Sequence, residues 1–102
     1  MSLLDLTTLT PEQFEPLIGQ MFGMTGAGAE NLAVELLKVR IVPHQPPRGF
    51  RQQFSVEFRS APGTVLGQGT FVFTHDTFGR AEFLVTPVQS SERGNCYVGV
   101  FG

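Results

Sequence analysis

Residues 67–88 read GQGTFVFTHDTFGRAEFLVTPV, and this stretch decides the fold. Two runs, TFVF and AEFLV, alternate large apolar side chains with other residues, which is typical of strands that bury one face. Between the runs, Asp76 and Thr77 are suited to hydrogen-bond nearby backbone groups, and Gly79 tolerates a positive φ. The stretch therefore predicts a β-hairpin. Its inward-facing residues are predicted to be Phe71, Phe73, Phe83 and Val85.

The His75-Asp76 pair at the centre of this hairpin has a catalytic alternative, because a Ser-His-Asp triad uses these residue types. None of the serines lies in a GxSxG nucleophile elbow. The turn position explains the pair without chemistry. We therefore expect no catalytic residue here, and an enzyme is the least favoured of the functions considered.

The rest of the chain contains further alternating runs, separated by segments rich in Gly, Pro, Ser and Asn. The runs are residues 20–26, 31–42, 50–60 and 96–101. Turn clusters at this spacing are typical of an all-β sandwich or barrel. At 102 residues the chain is expected to form a single domain, residues 1–102. The predicted fold is mainly β, a small antiparallel barrel or sandwich of about six strands with one short N-terminal helix.

The stretch LTPEQFEPLIG, residues 9–19, predicts that helix. Thr10 is a suitable N-cap, Pro11 suits the first helical position, and Gln13 has the spacing of a capping box. Gly19 is a natural stop. We expect about two turns that plug one end of the core, with docking of a partner as the alternative role. The plugging residues are predicted to be Phe14, Leu17 and Ile18.

The run NLAVELLKVRIV changes phase in its middle. Up to Leu36 the apolar residues occupy one phase, and from Leu37 onward they occupy the other. Because a strand alternates faces strictly, this change predicts a β-bulge or a passage of the strand between two layers. A helix is the alternative, and the β-branched residues of the run disfavour it.

Composition excludes several classes of partner. The formal net charge of -2 disfavours a nucleic-acid binder. The single cysteine, Cys96, cannot form an internal disulfide, the N-terminus has no signal-peptide pattern, and no apolar run approaches the ~18 residues of a membrane span. We expect a cytoplasmic protein that binds neither nucleic acid nor membrane. Export by a route without a signal peptide, or delivery inside a particle, is the alternative.

The chain also lacks metal and cofactor motifs. His44, His75 and Cys96 show no HxxxH or CxxC spacing, and the glycine-rich stretch GMTGAGAEN has no GK[ST]. No metal and no cofactor are expected.

Basic residues cluster in one part of the chain. Of the seven Lys and Arg residues, five lie between positions 38 and 59, where Glu57 is the one acid. Arginine beside an aromatic ring serves partner or anion recognition. Solvated arginines on an exposed loop are the alternative. The predicted partner-binding residues are Arg40, Arg48, Phe50, Arg51 and Arg59.

Two late runs carry apolar residues on both faces. In AEFLVTPV, Leu84 and Val88 lie opposite the predicted inward face, and CYVGVF places Val98 and Val100 opposite Tyr97 and Phe101. A sheet with one wet face does not need this. The helix, a strand crossing or another subunit would cover the second face.

The segments LTPEQFEPLIGQMF, FSVEFRSAP, LGQGTFVFTHDTFGRAEFLVTPV and YVGVF, in this order, resemble a small bacterial domain family of unknown function. The resemblance covers most of the chain. It implies a compact, stand-alone β domain associated with gene neighbourhoods of phage-tail-like proteins, and it implies no catalytic residues. The final Phe-Gly departs from the asparagine expected at that position.

These observations predict a non-enzymatic structural or protein-interaction module, with assembly into a phage-tail-like particle as its most concrete form. The partner would be another protein or a second copy of the chain. The alternative is a β barrel that binds a small ligand in an apolar cavity, although about six strands leave little room beside the phenylalanines.

Overall fold

The computed structural model describes residues 3–26, 29–42, 53–62 and 67–101. A short helix, α1 (Pro11–Phe14), lies between 3-10 helices at Leu6–Thr8 and Glu15–Leu17. The strands are β1 (Met21–Gly26), β2 (Ala29–Ile41), β3 (Phe54–Ser60), β4 (Gly69–His75), β5 (Gly79–Ser91) and β6 (Gly94–Phe101).

The strands form a closed antiparallel barrel in the order β1-β2-β3-β6-β5-β4, with β4 pairing back to β1. The prediction of a mainly β fold with about six strands and one short helix is confirmed, and the barrel is the form that it takes. The hairpin predicted from residues 67–88 is β4 and β5, which pair from Gly69 opposite Val85 to His75 opposite Gly79.

Phenylalanine rings fill the barrel interior. Phe73 stacks on Phe83 with ring centroids 4.3 Å apart, and Phe58 stacks on Phe73 at 4.7 Å. Nearer the plugged end, Phe54 stacks on Phe101 at 4.9 Å. The predicted inward residues Phe71, Phe73, Phe83 and Val85 are all buried. Such rings supply large apolar area together with favourable ring-to-ring contacts, so they make up most of the core.

The N-terminal helix plugs one end of the barrel. The side-chain oxygen Gln13 Oε1 accepts a hydrogen bond from the Thr10 N–H at 2.7 Å, as the capping-box spacing predicted. Phe14 is fully buried, with its ring 6.0 Å from that of Phe54. Leu17 is buried, but Ile18 is 45% exposed, so its assignment to the plug was wrong. The 3-10 helix ends at Leu17, and the extended backbone of Ile18 directs its side chain away from the core.

Two long strands contain irregular pairings. In β2, Leu36 pairs with Phe58 and Lys38 with Glu57, so Leu37 is the extra residue and the predicted bulge is confirmed. The helix alternative for this stretch was wrong. In β5 a second shift falls between Pro87 and Gln89.

Two of the turns are shorter than the sequence suggested. β2 begins at Ala29, which pairs with Gly26, and β5 extends to Ser91, which pairs with Gly94. The backbone of Gly94 has φ 136°, and a Cβ there would collide with the carbonyl oxygen of Ser60. Glycine is therefore required where the β5–β6 turn passes the end of β3.

Candidate functional site

His75 organises the turn between β4 and β5. Its Nδ1 accepts hydrogen bonds from the backbone N–H groups of Thr77 at 3.0 Å and Phe78 at 3.3 Å. Its Nε2–H then donates to Oε1 of Gln20, 2.7 Å away. Because Nδ1 acts as an acceptor, the proton of the neutral ring is on Nε2. Both ring nitrogens are engaged, so this imidazole has no free position to act as a base.

This arrangement corrects the role given to Asp76. The prediction assigned the turn hydrogen bonds to Asp76 and Thr77, whereas His75 is the acceptor in the structure. The His75 ring is held over the turn because it packs against Phe22, with ring centroids 4.8 Å apart, and bonds to Gln20. Asp76 is exposed, and its carboxylate has no partner within the described part of the chain.

A polar groove lies on the outside of the barrel beside this turn. Its volume is about 700 Å³. Gly23, which pairs with Ala33 on one side and Thr74 on the other, contributes to its lining. We call it the Arg80 groove. It is lined by Gln20, Met21, Gly23, Thr74, His75, Asp76, Thr77, Gly79 and Arg80.

The predicted partner-binding arginines do not all fall on one described surface. Arg48, Phe50 and Arg51 lie outside the described residues. Arg40 is exposed on β2 and pairs with Ser55, whereas Arg59 on β3 pairs with Glu35, several residues away along both strands.

Acidic residues alternate with the basic ones on the surface of β2 and β3. Arg59 Nη2 lies 2.8 Å from Glu35 Oε1, and Lys38 Nζ lies 3.8 Å from Glu57 Oε1. Glu35 precedes the basic stretch in the sequence and was not weighed against it. Antiparallel pairing brings it opposite Arg59, so the described part of this surface contains two ion pairs.

Cys96 lies on this side of the barrel, opposite Arg59 on the neighbouring strand. Burial and the neighbouring Glu57 carboxylate, which accepts a hydrogen bond from the thiol, raise the pKa of Cys96, although Arg59 and Lys38 act in the opposite direction. The thiolate is the nucleophilic form of cysteine, so the raised pKa makes Cys96 a poor nucleophile at neutral pH.

An apolar surface lies on the outside of β5 and β6. Leu84 is 51% exposed and Val100 is 74% exposed, and Val98 is partly buried beside them. Leu6 from the N-terminal segment borders a shallow groove of about 320 Å³ against these residues. We call Leu84, Val98 and Val100 the β5–β6 patch. The prediction that β5 and β6 carry apolar residues on both faces is confirmed.

Within residues 3–26, 29–42, 53–62 and 67–101, no three or more His, Cys, Asp or Glu side chains are grouped as a metal ion would require. No helix in the same ranges is long and apolar enough to cross a membrane.

Comparison with known families assigns the chain. Residues 9–101 match the family described as "Domain of unknown function (DUF6916)". The chain belongs to this family. Neither the search of curated proteins nor the search of solved structures found a match. The resemblance to a family of unknown function is therefore confirmed.

The description of the DUF6916 family names no activity, and two surfaces of the described barrel differ in their chemistry. The Arg80 groove is polar and carries two charged side chains, whereas the β5–β6 patch is apolar. They lie on different parts of the barrel and suit different kinds of partner.

Proposed function

We propose that this chain is a non-enzymatic protein-interaction module that assembles through the β5–β6 patch. The observation that carries the proposal is the exposure of Leu84 and Val100, at 51% and 74%, on one outer surface of the barrel. Scattered apolar side chains are normal on a protein surface, but adjacent ones mark a contact site.

The register places these side chains together. Thr86 pairs with Val98, and continuing the antiparallel pairing puts Leu84 opposite Val100. Ser55 of β3 lies on the other side of Val100. The patch is therefore a small apolar area with polar neighbours, which is the composition of a protein interface with an apolar core and a polar rim.

The closed barrel supports contact through side chains. Each of the six described strands has two neighbours, so there is no edge strand among them for a partner strand to extend. A partner must then bind to the outer surface.

Two candidate reactive groups, His75 and Cys96, support the proposal that the module is not an enzyme. Both nitrogens of His75 are engaged in hydrogen bonds, and the raised pKa of Cys96 keeps its thiol protonated. A group committed in this way is a poor general base or nucleophile.

The most concrete form of the proposal is self-association within a phage-tail-like assembly of bacterial origin, in the cytoplasm. A small barrel with an apolar outer patch suits a subunit that contacts further copies of itself. The segment that contains Arg48, Phe50 and Arg51 is proposed as a second contact surface.

Self-association is tested by light scattering after size exclusion, over a dilution series. We expect the wild type to form an oligomer whose mass falls on dilution. Leu84→Glu combined with Val100→Glu should be monomeric at every concentration, because two carboxylates would be desolvated in the interface.

The matched control is Ile18→Glu, since Ile18 is also a large exposed apolar residue but lies outside the patch. It should associate like the wild type, and all three proteins should melt at similar temperatures. A wild type that is monomeric at all concentrations would contradict self-association, and equal loss of mass in the control would contradict the assignment to this patch.

A small ligand in the barrel interior is the second proposal. Such a ligand would have to displace rings that pack within 4.3 to 4.7 Å of one another around Phe73, which favours the interaction module. Native mass spectrometry tests it: an additional mass that survives gentle desolvation and is lost on unfolding supports a bound ligand, and a bare chain mass contradicts it.

A further inference from the structure

The Arg80 groove contains two charged side chains that do not neutralise each other. Arg80 and Asp76 both line the groove, yet they form no ion pair, and neither side chain has a hydrogen-bond partner within the described ranges. Lys38 and Arg59, in contrast, are each paired with a glutamate. Arg80 is partly buried and lines the groove.

Some of the other polar groups of the groove already form hydrogen bonds within the protein, and others do not. His75 and Gln20 are bonded to each other, and His75 also holds the turn, so they form a rigid part of the wall. The hydroxyls of Thr74 and Thr77 have no partner within the described residues and are available to a ligand. Gly23 and Gly79 also line the groove.

These groups define the chemistry of a ligand. A guanidinium binds a carboxylate or a phosphate through paired hydrogen bonds. The Asp76 carboxylate in the same groove repels a highly charged anion such as phosphate and attracts an ammonium group. The volume of about 700 Å³ is within the range of small-molecule sites, about 300 to 1,000 Å³.

We propose that the Arg80 groove binds a small zwitterion, an amino acid or a short peptide, with its carboxylate on Arg80 and its ammonium group near Asp76. This site is on a different surface from the β5–β6 patch, so it stands or falls independently of the proposed assembly role. The threonine hydroxyls add hydrogen bonds to the bound carboxylate.

The test is a titration followed by amide resonances in ¹⁵N–¹H spectra, at neutral pH and constant ionic strength. Three probes separate the two charges: diglycine carries both, N-acetylglycine carries the carboxylate alone, and glycinamide carries the ammonium alone. We expect diglycine to bind best, N-acetylglycine more weakly and glycinamide least, with shifts concentrated at Gly23, Thr74, Thr77 and Gly79.

Substitutions assign the contacts. Arg80→Gln should weaken diglycine binding by about tenfold or more, because a hydrogen bond to a charged group is lost. Asp76→Asn should remove the advantage of diglycine over N-acetylglycine, and N-acetylglycine should bind this variant at least as tightly as it binds the wild type. Arg40→Gln is the matched control, since Arg40 is an exposed arginine on another surface, and it should bind all three probes like the wild type.

Several outcomes would overturn the proposal. Arg80→Gln that titrates like the wild type, or Arg40→Gln that weakens binding equally, would show that the shifts do not report this groove. Equal binding of diglycine and N-acetylglycine would remove Asp76 from the site. Retained dispersion of the amide spectrum in each variant confirms that the barrel is intact and that the comparison is valid.

Discussion

The inner and outer faces of β6 carry similar apolar residues in very different surroundings. Tyr97 and Phe101 point inward and are 1% and 4% exposed, whereas Val100 on the opposite face is 74% exposed. The barrel requires large apolar side chains inside, because burial of their surface drives folding. It requires no valine outside. The fold therefore accounts for the inner residues, but it does not account for the exposed valine on the outer face.

The sharpest way to break this comparison is to truncate one residue on each face. Phe73→Ala should lower the free energy of unfolding by about 3–5 kcal/mol, because the ring stacks on Phe58 and Phe83 and its removal leaves a cavity. Val100→Ala should change it by less than about 0.5 kcal/mol. Chemical denaturation monitored by circular dichroism measures both.

Phe73→Leu is a second variant for the case in which Phe73→Ala does not fold. Leucine keeps much of the apolar volume of the ring, so this variant should lose less stability than Phe73→Ala. If the inner and outer truncations cost the same, then the distinction between a face that builds the fold and a face that is free for contact is wrong.

A second, smaller effect is expected at the turn beside the Arg80 groove. His75→Ala removes the acceptor for two backbone N–H groups and the donor to Gln20, and should cost about 1–2 kcal/mol. Asp76→Ala should cost less than about 0.5 kcal/mol, because its carboxylate makes no hydrogen bond within the described residues. Thermal melts of the two variants side by side measure the difference, and a larger loss in the aspartate variant would restore the role first predicted for it.

The smallest effect concerns Cys96 and the pH. Its pKa is raised in the folded protein by burial and by Glu57, so the folded state holds the thiol proton more tightly than the unfolded chain does. Stability from this group is therefore complete below the ordinary thiol pKa and is lost as the pH rises above it.

Denaturation of the wild type and of Cys96→Ala across the alkaline range isolates this contribution. The wild type should lose stability relative to Cys96→Ala as the pH rises, and Glu57→Gln should reduce that loss. A difference between the two proteins that is independent of pH would show that Cys96 does not titrate differently on folding.

Two of the three register shifts in the described strands show how much of the fold the sequence could predict. The bulge at Leu37 was predictable, because apolar residues on both sides of it occupy opposite phases. The shift between Pro87 and Gln89 was not, because polar residues follow it and leave no apolar phase to compare. The exposure of Ile18 was also not predictable from the apolar pattern. Helical periodicity assigned this residue to the core, but the 3-10 helix ends at Leu17 and the backbone of Ile18 is extended.

The surfaces were less predictable than the barrel, because they depend on register. Glu35 faces Arg59 only when β2 and β3 pair with the observed bulge. The ion pair could therefore not be predicted from the sequence alone. The Arg80 groove likewise combines residues of β1, β4 and β5 that only the pairing of these strands brings together. The apolar outer face of β5 and β6 was visible earlier, because alternation within a single strand is enough to show it.

The place of β6 in the barrel has a consequence for how the protein folds. β6 follows the other five strands along the chain, yet it lies between β3 and β5. Until it inserts, β3 and β5 each keep an open edge, and such edges promote pairing between chains. Closure of the barrel therefore waits for β6, and pairings between distant strands make this a slow class of topology. A substitution that slows the insertion of β6 would therefore prolong the exposure of these edges and promote aggregation.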